Sequence, residues 1–594
     1  MVRLVKYLKP FAPLIALAVL ILFLQAFCDL SLPNLMAQLV NDILRQQSAE
    51  AANAAGAAPG SSILSLGFRM LAMALTGGVA AVGVSFLSTR IAAGIARDLR
   101  FAVFQKVETF SSYEFDTFST ASLITRCTND ISHIQQLFIM GIRMICYAPV
   151  MGIGGVIMAV SKAPAMSWIL VLAVVCLISL VLFLMSIVMP KFKIIQGLID
   201  RLNQVARETL NGLMVIRAFG AQSHEEKRFD GINRELTSVN LFVNRIMILQ
   251  MPGMHIIMNA SILLIIWFGA HRIAGSLMEV GDMLAFIQYT MQIIFSFLFL
   301  SMMFMMLPRT AVSARRIAEV LGTDVSIKDP ALSKRLDEDR TASGARRNCK
   351  LEFHDVSFRY KGAEEDAIKN ISFTAERGET TAIIGATGSG KTTIANLILR
   401  FYDVTRGSIT IDGVDIRELA QTDLRSRIGY VPQRSVLLSG PVSYNLRYGK
   451  TGATDEEIRE GSRIAQALDF VEERPGGFES TLSQGGANVS GGQKQRLSIA
   501  RAIVRDPELL IFDDSFSALD FATDARLRRA MDEKRRDATK IIVAQRVGTI
   551  MHAEKIIVLE LGRIAGMGKH AELMESCPEY REIAESQLSE AANS

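Results

Sequence analysis

Six long stretches without a charged side chain, at residues 10–28, 70–89, 144–161, 163–190, 246–270 and 283–308, constrain this chain more than anything else in it. A helix that crosses a bilayer needs about 20 mostly apolar residues. Each stretch is of that order, with helix ends expected a few residues beyond it. The shortest, 144–161, is extended by the apolar segment before Arg143. Only Lys162 separates it from the next stretch, so those two helices must turn tightly. All six lie before residue 310. Hydrophobic residues make up 50% of the 594 and charged residues 21%, with a mean hydropathy of +0.28. That average joins an apolar first half to a second half that reads as a soluble α/β protein, and the length itself implies more than one domain.

The connections alternate. Roughly 50 residues separate spans two and three, and again spans four and five, whereas the others are short or, like 44–62, poor in charge. The long loops carry Arg90, Arg97, Arg100 and Lys106, and Lys191, Lys193, Arg207, Lys227 and Arg228. The positive-inside tendency places both in the cytoplasm with Arg3, Lys6 and Lys9, so both termini are expected inside. The N-terminal MVRLVKYLKPF is read as a retained basic segment, since no small-residue cleavage site closes the apolar run after it. The 44–62 loop, with AEAANAAGAAPGSS, is small and polar and is read as an external connector.

Two function classes recede at once. The net charge of +5 mixes signs, without the basic, aromatic-interleaved stretch of a nucleic-acid surface. Cys28, Cys127, Cys146, Cys176, Cys349 and Cys577 have neither CxxC spacing nor the pattern of a disulfide framework.

After the sixth span, 309–322 still reads as helix and 325–348, charged and containing Pro330, as a linker. From LEFHDVSFRY at 351–360, strand and helix signals alternate to about residue 575, a doubly wound pattern. The expected organisation is a six-span helical membrane domain at 1–322, a linker at 323–349 and an α/β P-loop domain at 350–594. The motif itself is TAIIGATGSGKTT at 381–393: an apolar strand, then Gly385 through Thr392 as GxxxxGKT, then a helix. Gly385, Gly388 and Gly390 let backbone N–H groups turn toward phosphate oxygens, to which the helix N-terminus adds partial positive charge. Lys391 would reach the terminal phosphates and Thr392, with Thr393 beside it, would line the site, the Thr392 hydroxyl on Mg²⁺. LLIFDD at 509–514 ends an apolar strand in Asp513, the carboxylate expected to hold Mg²⁺ through water. ATP and Mg²⁺ are therefore the expected ligands.

Between these motifs lies NVSGGQKQRLSIARA at 488–502. With the P-loop and the Asp-ended strand in order around it, residues 350–575 resemble the nucleotide-binding domain of ABC transporters. The resemblance implies that Ser490, Gly491, Gly492 and Gln493 form the signature motif, which caps ATP held by the opposite subunit. It implies that Tyr360 stacks on adenine, that Gln433 in GYVPQ contacts Mg²⁺ and the membrane domain, and that Asp520 of SALD faces the partner. Six spans before such a domain look like a half-transporter of the multidrug-resistance type of ABC exporter, multi-pass in a bacterial inner or plasma membrane. Its coupling helices would fall near 111–118 and 209–219. A soluble ABC ATPase acting on ribosomes or DNA is excluded by the spans.

Two positions depart from the family pattern. Asp514 stands where Glu, the general base, is usual, and Gln545 where the switch His is usual. Asp is shorter by a methylene, and a displacement of about 1 Å costs on the order of a hundredfold in rate. Glutamine donates one hydrogen bond but does not become cationic. Either change alone is compatible with drift; together they touch one chemical step while the binding residues stay intact. This looks like the degenerate subunit of a heterodimeric exporter, whose partner chain carries Glu and His. A homodimeric exporter, or a nucleotide-gated channel or regulator, are the alternatives. Gln484, where many exporters have Glu, has no explanation.

For cargo, the resemblance implies an amphiphilic small molecule or lipid. Met247, Met251, Met254 and Met258, and the cluster Met302, Met303, Met305 and Met306, suit either a pliable binding surface or helix packing. Asp29 is a costly group in a bilayer and is read as a cavity or gate residue, or as one near the boundary. Gln288, Gln292 and Asn259 are candidate polar contacts.

Overall fold

The uncharged runs lie inside helices much longer than themselves. The computed structural model describes residues 6–51, 61–334, 336 and 349–593, apart from the side chains of 48–51, 61, 62, 301, 302, 304, 305, 308 and 588–593. Among these residues, six helical segments are long and apolar enough to cross a membrane: Lys9–Gln47, Ile63–Glu108, Thr120–Lys162, Pro164–Asn211, Gln222–Ala274 and Val280–Leu300, the last within a helix that continues to Gly322. The segments that read as long charged loops are helical too. The second helix runs Ser61–Glu108, 48 residues, or about 72 Å at 1.5 Å per residue. Adding a turn to an existing helix costs far less than starting one, so Arg90, Arg97 and Arg100 ride on a continuation of the span instead of leaving it.

In these helices Leu20, Phe68, Leu75, Val82 and Phe86 are exposed large apolar side chains, the composition expected of a lipid-facing surface. Some buried hydroxyls satisfy themselves on their own helix, as Ser261 does on the Ile257 carbonyl at 2.7 Å and Thr290 on that of Phe286 at 2.8 Å, whereas Ser313 donates across to Asp130 Oδ1 at 2.7 Å. The Thr120–Lys162 helix contains two π turns, Arg126–Asp130 and Arg143–Tyr147. Pro149 follows the second and has no N–H to give the carbonyl four residues back, a local cause for widening the turn. The methionines at 254 and 258 pack with Leu177 and Ile294, and Met247 packs against Val188 and Val243. Met302 and Met305 lie outside the described side chains.

The chain forms two compact units, Met1–Glu108 with Thr120–Thr323, and Thr109–Ser119 with Asp324–Ser594. The second contains strands β1 (Leu351–Phe358), β2 (Ile368–Ala375), β3 (Thr380–Gly385), β4 (Arg406–Ile411), β5 (Val414–Asp415), β6 (Ile428–Val431), β7 (Gly440–Pro441), β8 (Thr481–Leu482), β9 (Leu509–Asp513), β10 (Thr539–Val543), β11 (Lys555–Glu560) and β12 (Arg563–Gly568). The main sheet has the order β12-β11-β3-β10-β9-β6. It is parallel except for the edge strand β12. Residues along its strands alternate between two cores. Ala382, Ile384, Leu510, Phe512 and Ile542 face a cluster with the helices around Ile458 and Leu497; Ile383, Leu509, Ile511 and Ile541 face a second cluster. That second core is shared with an antiparallel sheet, β2-β1-β4-β5, which the doubly wound reading did not anticipate. Its signal is the alternation in β1 and β2, where Phe353 stacks on Phe373 with centroids 4.5 Å apart.

The structure has six-residue helices at Ser112–Thr117 and Leu213–Ala218, inside the two segments expected to carry coupling helices. The first belongs to the second unit and is tied there by Glu114. One carboxylate oxygen accepts the backbone N–H and hydroxyl of Ser111 at 2.8 and 2.6 Å; the other accepts those of Ser326 at 3.1 and 2.6 Å. Tyr113 packs edge-on to Tyr402, whose hydroxyl donates to Asp116 at 2.9 Å. Burial alone would raise the Glu114 carboxyl, but the Ser111 and Ser326 hydrogen bonds outweigh it and hold it below the ordinary value of 4.5. Its contribution is therefore present above that pH and lost as pH falls through the lowered folded value. Glu114→Gln, which turns one acceptor into a donor facing donors, should cost about 2 kcal/mol. The thermal midpoint of the purified protein should fall at pH 7, and the difference from wild type should shrink under acid conditions.

Candidate functional site

Strand β3 ends at Gly385, and the loop that follows turns into the helix Lys391–Ile398 through left-handed residues at Gly388 (φ 85°) and Gly390 (φ 99°). A Cβ on Gly390 would stand 2.6 Å from the Ile368 side chain and 3.0 Å from the Ala367 carbonyl, so both conformation and space require glycine. The Lys391 ammonium, nearly buried, donates to the Gly385 and Ala386 carbonyls at 2.7 and 2.8 Å. Burial draws it below the usual lysine range, opposed by the charges of Asp514 and Asp513.

The Thr392 hydroxyl donates to Asp513 Oδ1 at 3.0 Å. Asp513, at the end of β9, is 1% exposed, and its Oδ2 has no hydrogen-bond partner. Burial pushes this carboxyl up; the Thr392 hydrogen bond opposes that, the Asp514 charge adds to it, and Lys391 and the nearby Tyr430 hydroxyl oppose it. An orphaned buried carboxylate oxygen beside a hydroxyl is a set of hard oxygen donors that suits Mg²⁺.

Asp514 adopts φ 48°, with its N–H on the Val543 carbonyl at 2.9 Å. Its Oδ2 accepts two amides, from Gln433 Nε2 at 3.2 Å and Gln545 Nε2 at 2.9 Å. The structure thus joins Lys391, Thr392, Asp513, Asp514, Gln433 and Gln545 around the C-terminal ends of β3, β9 and β10, where parallel sheets gather ligand-binding groups. Tyr360 reaches the same helix, its hydroxyl 3.0 Å from Thr393 Oγ1, with its ring edge-on to Phe358 and Tyr402.

Ser490–Gln493 stand apart. Ser490 caps the helix Gly491–Val504: Gln493 N–H donates to its hydroxyl at 3.3 Å, and Ser490 N–H to the Gln493 side-chain oxygen at 3.0 Å. This capping box explains the Ser and Gln locally and leaves the helix N-terminus exposed, a surface that attracts anions. Gly491 is open to solvent and a Cβ on Gly492 would meet the Ala518 carbonyl at 3.3 Å. Among the described residues, no hydrogen bond joins this motif to the P-loop. Asp520 caps the helix Phe521–Lys534 through Thr523 N–H at 2.8 Å, and that bond holds its carboxyl below the usual range.

One participant escapes sequence reasoning. Gln587, on the C-terminal helix Pro578–Asn593, donates to the Gln545 carbonyl at 2.7 Å and accepts from Val547 N–H at 2.8 Å. It lies in no motif and no local pattern marks it. Among the polar positions read as possible cargo contacts, Gln288 and Asn259 are exposed, whereas Gln292 donates to the Asp29 carbonyl at 3.2 Å.

Residues 15–297 match the ABC transporter transmembrane region family and residues 368–517 the ABC transporter family. An uncharacterised ABC transporter ATP-binding protein of Mycobacterium tuberculosis is 38% identical over 587 residues, 98% of this chain and 97% of that one. An ATP-dependent lipid A-core flippase of Desulfotalea psychrophila is 32% identical over 520 residues, 86% of this chain and 88% of that one. A bacterial Atm1-family ABC exporter, solved with ATP bound, has the same fold, with a TM-score of 0.78 over 97% of this chain and 98% of that one at 23% identity. Matched in both its apolar and its nucleotide-binding half, and related along nearly its whole length, the chain belongs to the ABC transporter family as a multi-pass membrane protein with an ATP-binding domain.

Proposed function

We propose that this chain is one half of an ATP-driven exporter of amphiphilic small molecules or lipids in a bacterial inner membrane, its termini and nucleotide-binding domain cytoplasmic. Its own site binds ATP and hydrolyses it slowly, and its signature motif completes a faster site on a different partner chain. The observation that carries this reading is the state of Asp514. Its carboxylate, already short for a general base, is held on Oδ2 by the Gln433 and Gln545 amides, which leaves Oδ1 alone for water and sets the carboxylate's aim with two neutral amides in place of a histidine.

Binding machinery is complete by comparison. Lys391 exchanges the Gly385 and Ala386 carbonyls for phosphate oxygens, and the Gly388–Gly390 loop presents N–H groups to the same charge. Thr392, Asp513 and Gln433 would hold Mg²⁺, which when bound neutralises phosphate charge. Tyr360 offers a ring for the adenine, and Ser490–Gln493 and Asp520 present to the partner. The second short helix supports the need for that partner: Met214 is 80% and Phe219 82% exposed beside it, an apolar tip that one chain leaves uncovered. The lipid A-core flippase among the relatives supports a lipid-like cargo.

Two measurements test this. ATPase activity in lipid should be low for the chain alone and rise with the correct partner. Asp514→Glu with Gln545→His should raise turnover of the chain alone on the order of a hundredfold, the cost assigned to the misplaced base. Rapid turnover by the unaltered chain, abolished by Asp514→Asn, would instead identify an ordinary homodimeric exporter. Ser490→Ala, in turn, should silence most turnover of the complex, while ATP binding to this chain's own P-loop, read by photolabelling, persists.

A further inference from the structure

Asp29 lies in the first spanning helix, Ala12–Ala51, with uncharged residues from Pro10 to Cys28 before it and from Leu30 to Asn41 after it. A carboxylate at such depth needs partners. Among the described residues, one side chain supplies a hydrogen bond to it: the Tyr147 hydroxyl, 2.6 Å from Oδ2. Tyr147 closes the π turn Arg143–Tyr147, and π turns recur at functional sites because they redirect a side chain. Gly77 of the second helix faces the other oxygen; a Cβ there would stand 3.5 Å from Asp29 Oδ1. Four helices thus meet at Asp29, the fourth through Gln292 on the Val280–Gly322 helix.

An account of donors and acceptors shows what this site lacks. Gln292 spends its amide N–H on the Asp29 carbonyl, which fixes its orientation and leaves its own Oε1 buried without a partner. Gln25, one turn before Asp29, is 5% exposed, and its Oε1 is likewise orphaned. Tyr289, next to this group, gives its hydroxyl to the Leu30 carbonyl at 2.9 Å and has none to spare. The amide oxygens of Gln25 and Gln292 thus lack donors beside the half-buried Asp29 carboxylate. Native proteins rarely leave such groups unmet, so a ligand for this place brings several N–H donors and a positive charge on an apolar body. A primary ammonium has three donors; a quaternary ammonium has the charge and no donor, and a carboxylate has neither.

We propose that Asp29, with Gln25, Gln292 and Tyr147 around it, is the recognition point for the primary ammonium of an amphiphilic cargo. This rests on the export reading above and narrows its substrate class. The ammonium exchanges water for the Asp29 carboxylate and the orphaned amide oxygens, while the tail keeps to the apolar helices, so affinity follows the donors on the head group.

The test is binding of dodecylammonium, dodecyltrimethylammonium and laurate to the full-length protein in phosphatidylcholine nanodiscs without nucleotide. Wild type should bind dodecylammonium about tenfold or more tighter than the trimethyl form, the difference that charge-assisted hydrogen bonds supply, and tighter still than laurate. Asp29→Asn, which keeps an acceptor but loses the charge, should cut the preference severalfold, Asp29→Glu should restore it, and Tyr147→Phe, which removes a competing donor, should keep it. Equal affinities in wild type, or an unchanged preference in Asp29→Asn, overturn the site. Should Asp29→Asn not fold, loss of the preference in Tyr147→Phe overturns it instead. Phosphatidylethanolamine in the nanodiscs separates two sources: competition with dodecylammonium identifies a bilayer aminolipid, and its absence a free amine. Failure here with ATP-driven transport of other amphiphiles intact removes this site alone; absence of any ATP-driven transport removes the export reading.

Discussion

Within a hydrocarbon layer each peptide group has to find its hydrogen-bond partner inside its own segment, and the first half of this chain is organised by that requirement. It makes every crossing a helix and allows the helices to run on into water without interruption, as Ser61–Glu108 does. It also turns several hydroxyls back on their own carbonyls, so that the orphaned amide oxygens of Gln25 and Gln292, beside Asp29, stand out. A soluble core would hide such exceptions among ordinary waters and side chains.

The nucleotide-binding unit solves a different problem, the gathering of charge at strand ends. The charge of Asp514 acts on both Lys391 and Asp513, and a hydroxyl and two amides complete the surroundings of the two carboxylates. Both carboxylates belong to adjacent residues of one chain segment, yet they meet different fates. Asp513 is buried and accepts one hydroxyl, whereas Asp514 is half-buried and accepts two amides. The left-handed backbone at Asp514, which turns its side chain away from the strand direction, goes with this division.

Much of this was legible beforehand because it depends on local chemistry. Absence of charge locates the spans, glycine spacing locates the turn between β3 and the helix after it, and an apolar strand ending in acid locates the end of β9. Six-residue helices occur inside both segments expected to contain them. What was not legible depends on length and on distant pairing. Nothing in a charged amphipathic stretch says that it continues a span, so the loops were read too long and the helices too short. The antiparallel sheet was missed because β1 and β2 are joined by strand alternation that also suits an α/β unit. The four donors on Glu114 come from residues on either side of some 200 positions of sequence.

Gln587 has a mechanical consequence. Its single amide bridges the carbonyl of Gln545 and the N–H of Val547, so the loop after β10 is moored to the last helix of the chain. That helix lies outside the sheet, and whenever it opens the mooring is released. The backbone that aims Gln545 at Asp514 therefore inherits the opening rate of a helix to which the sheet itself is not bonded. Amide exchange along residues 545–547 would keep time with the C-terminal helix and not with the sheet that the loop leaves.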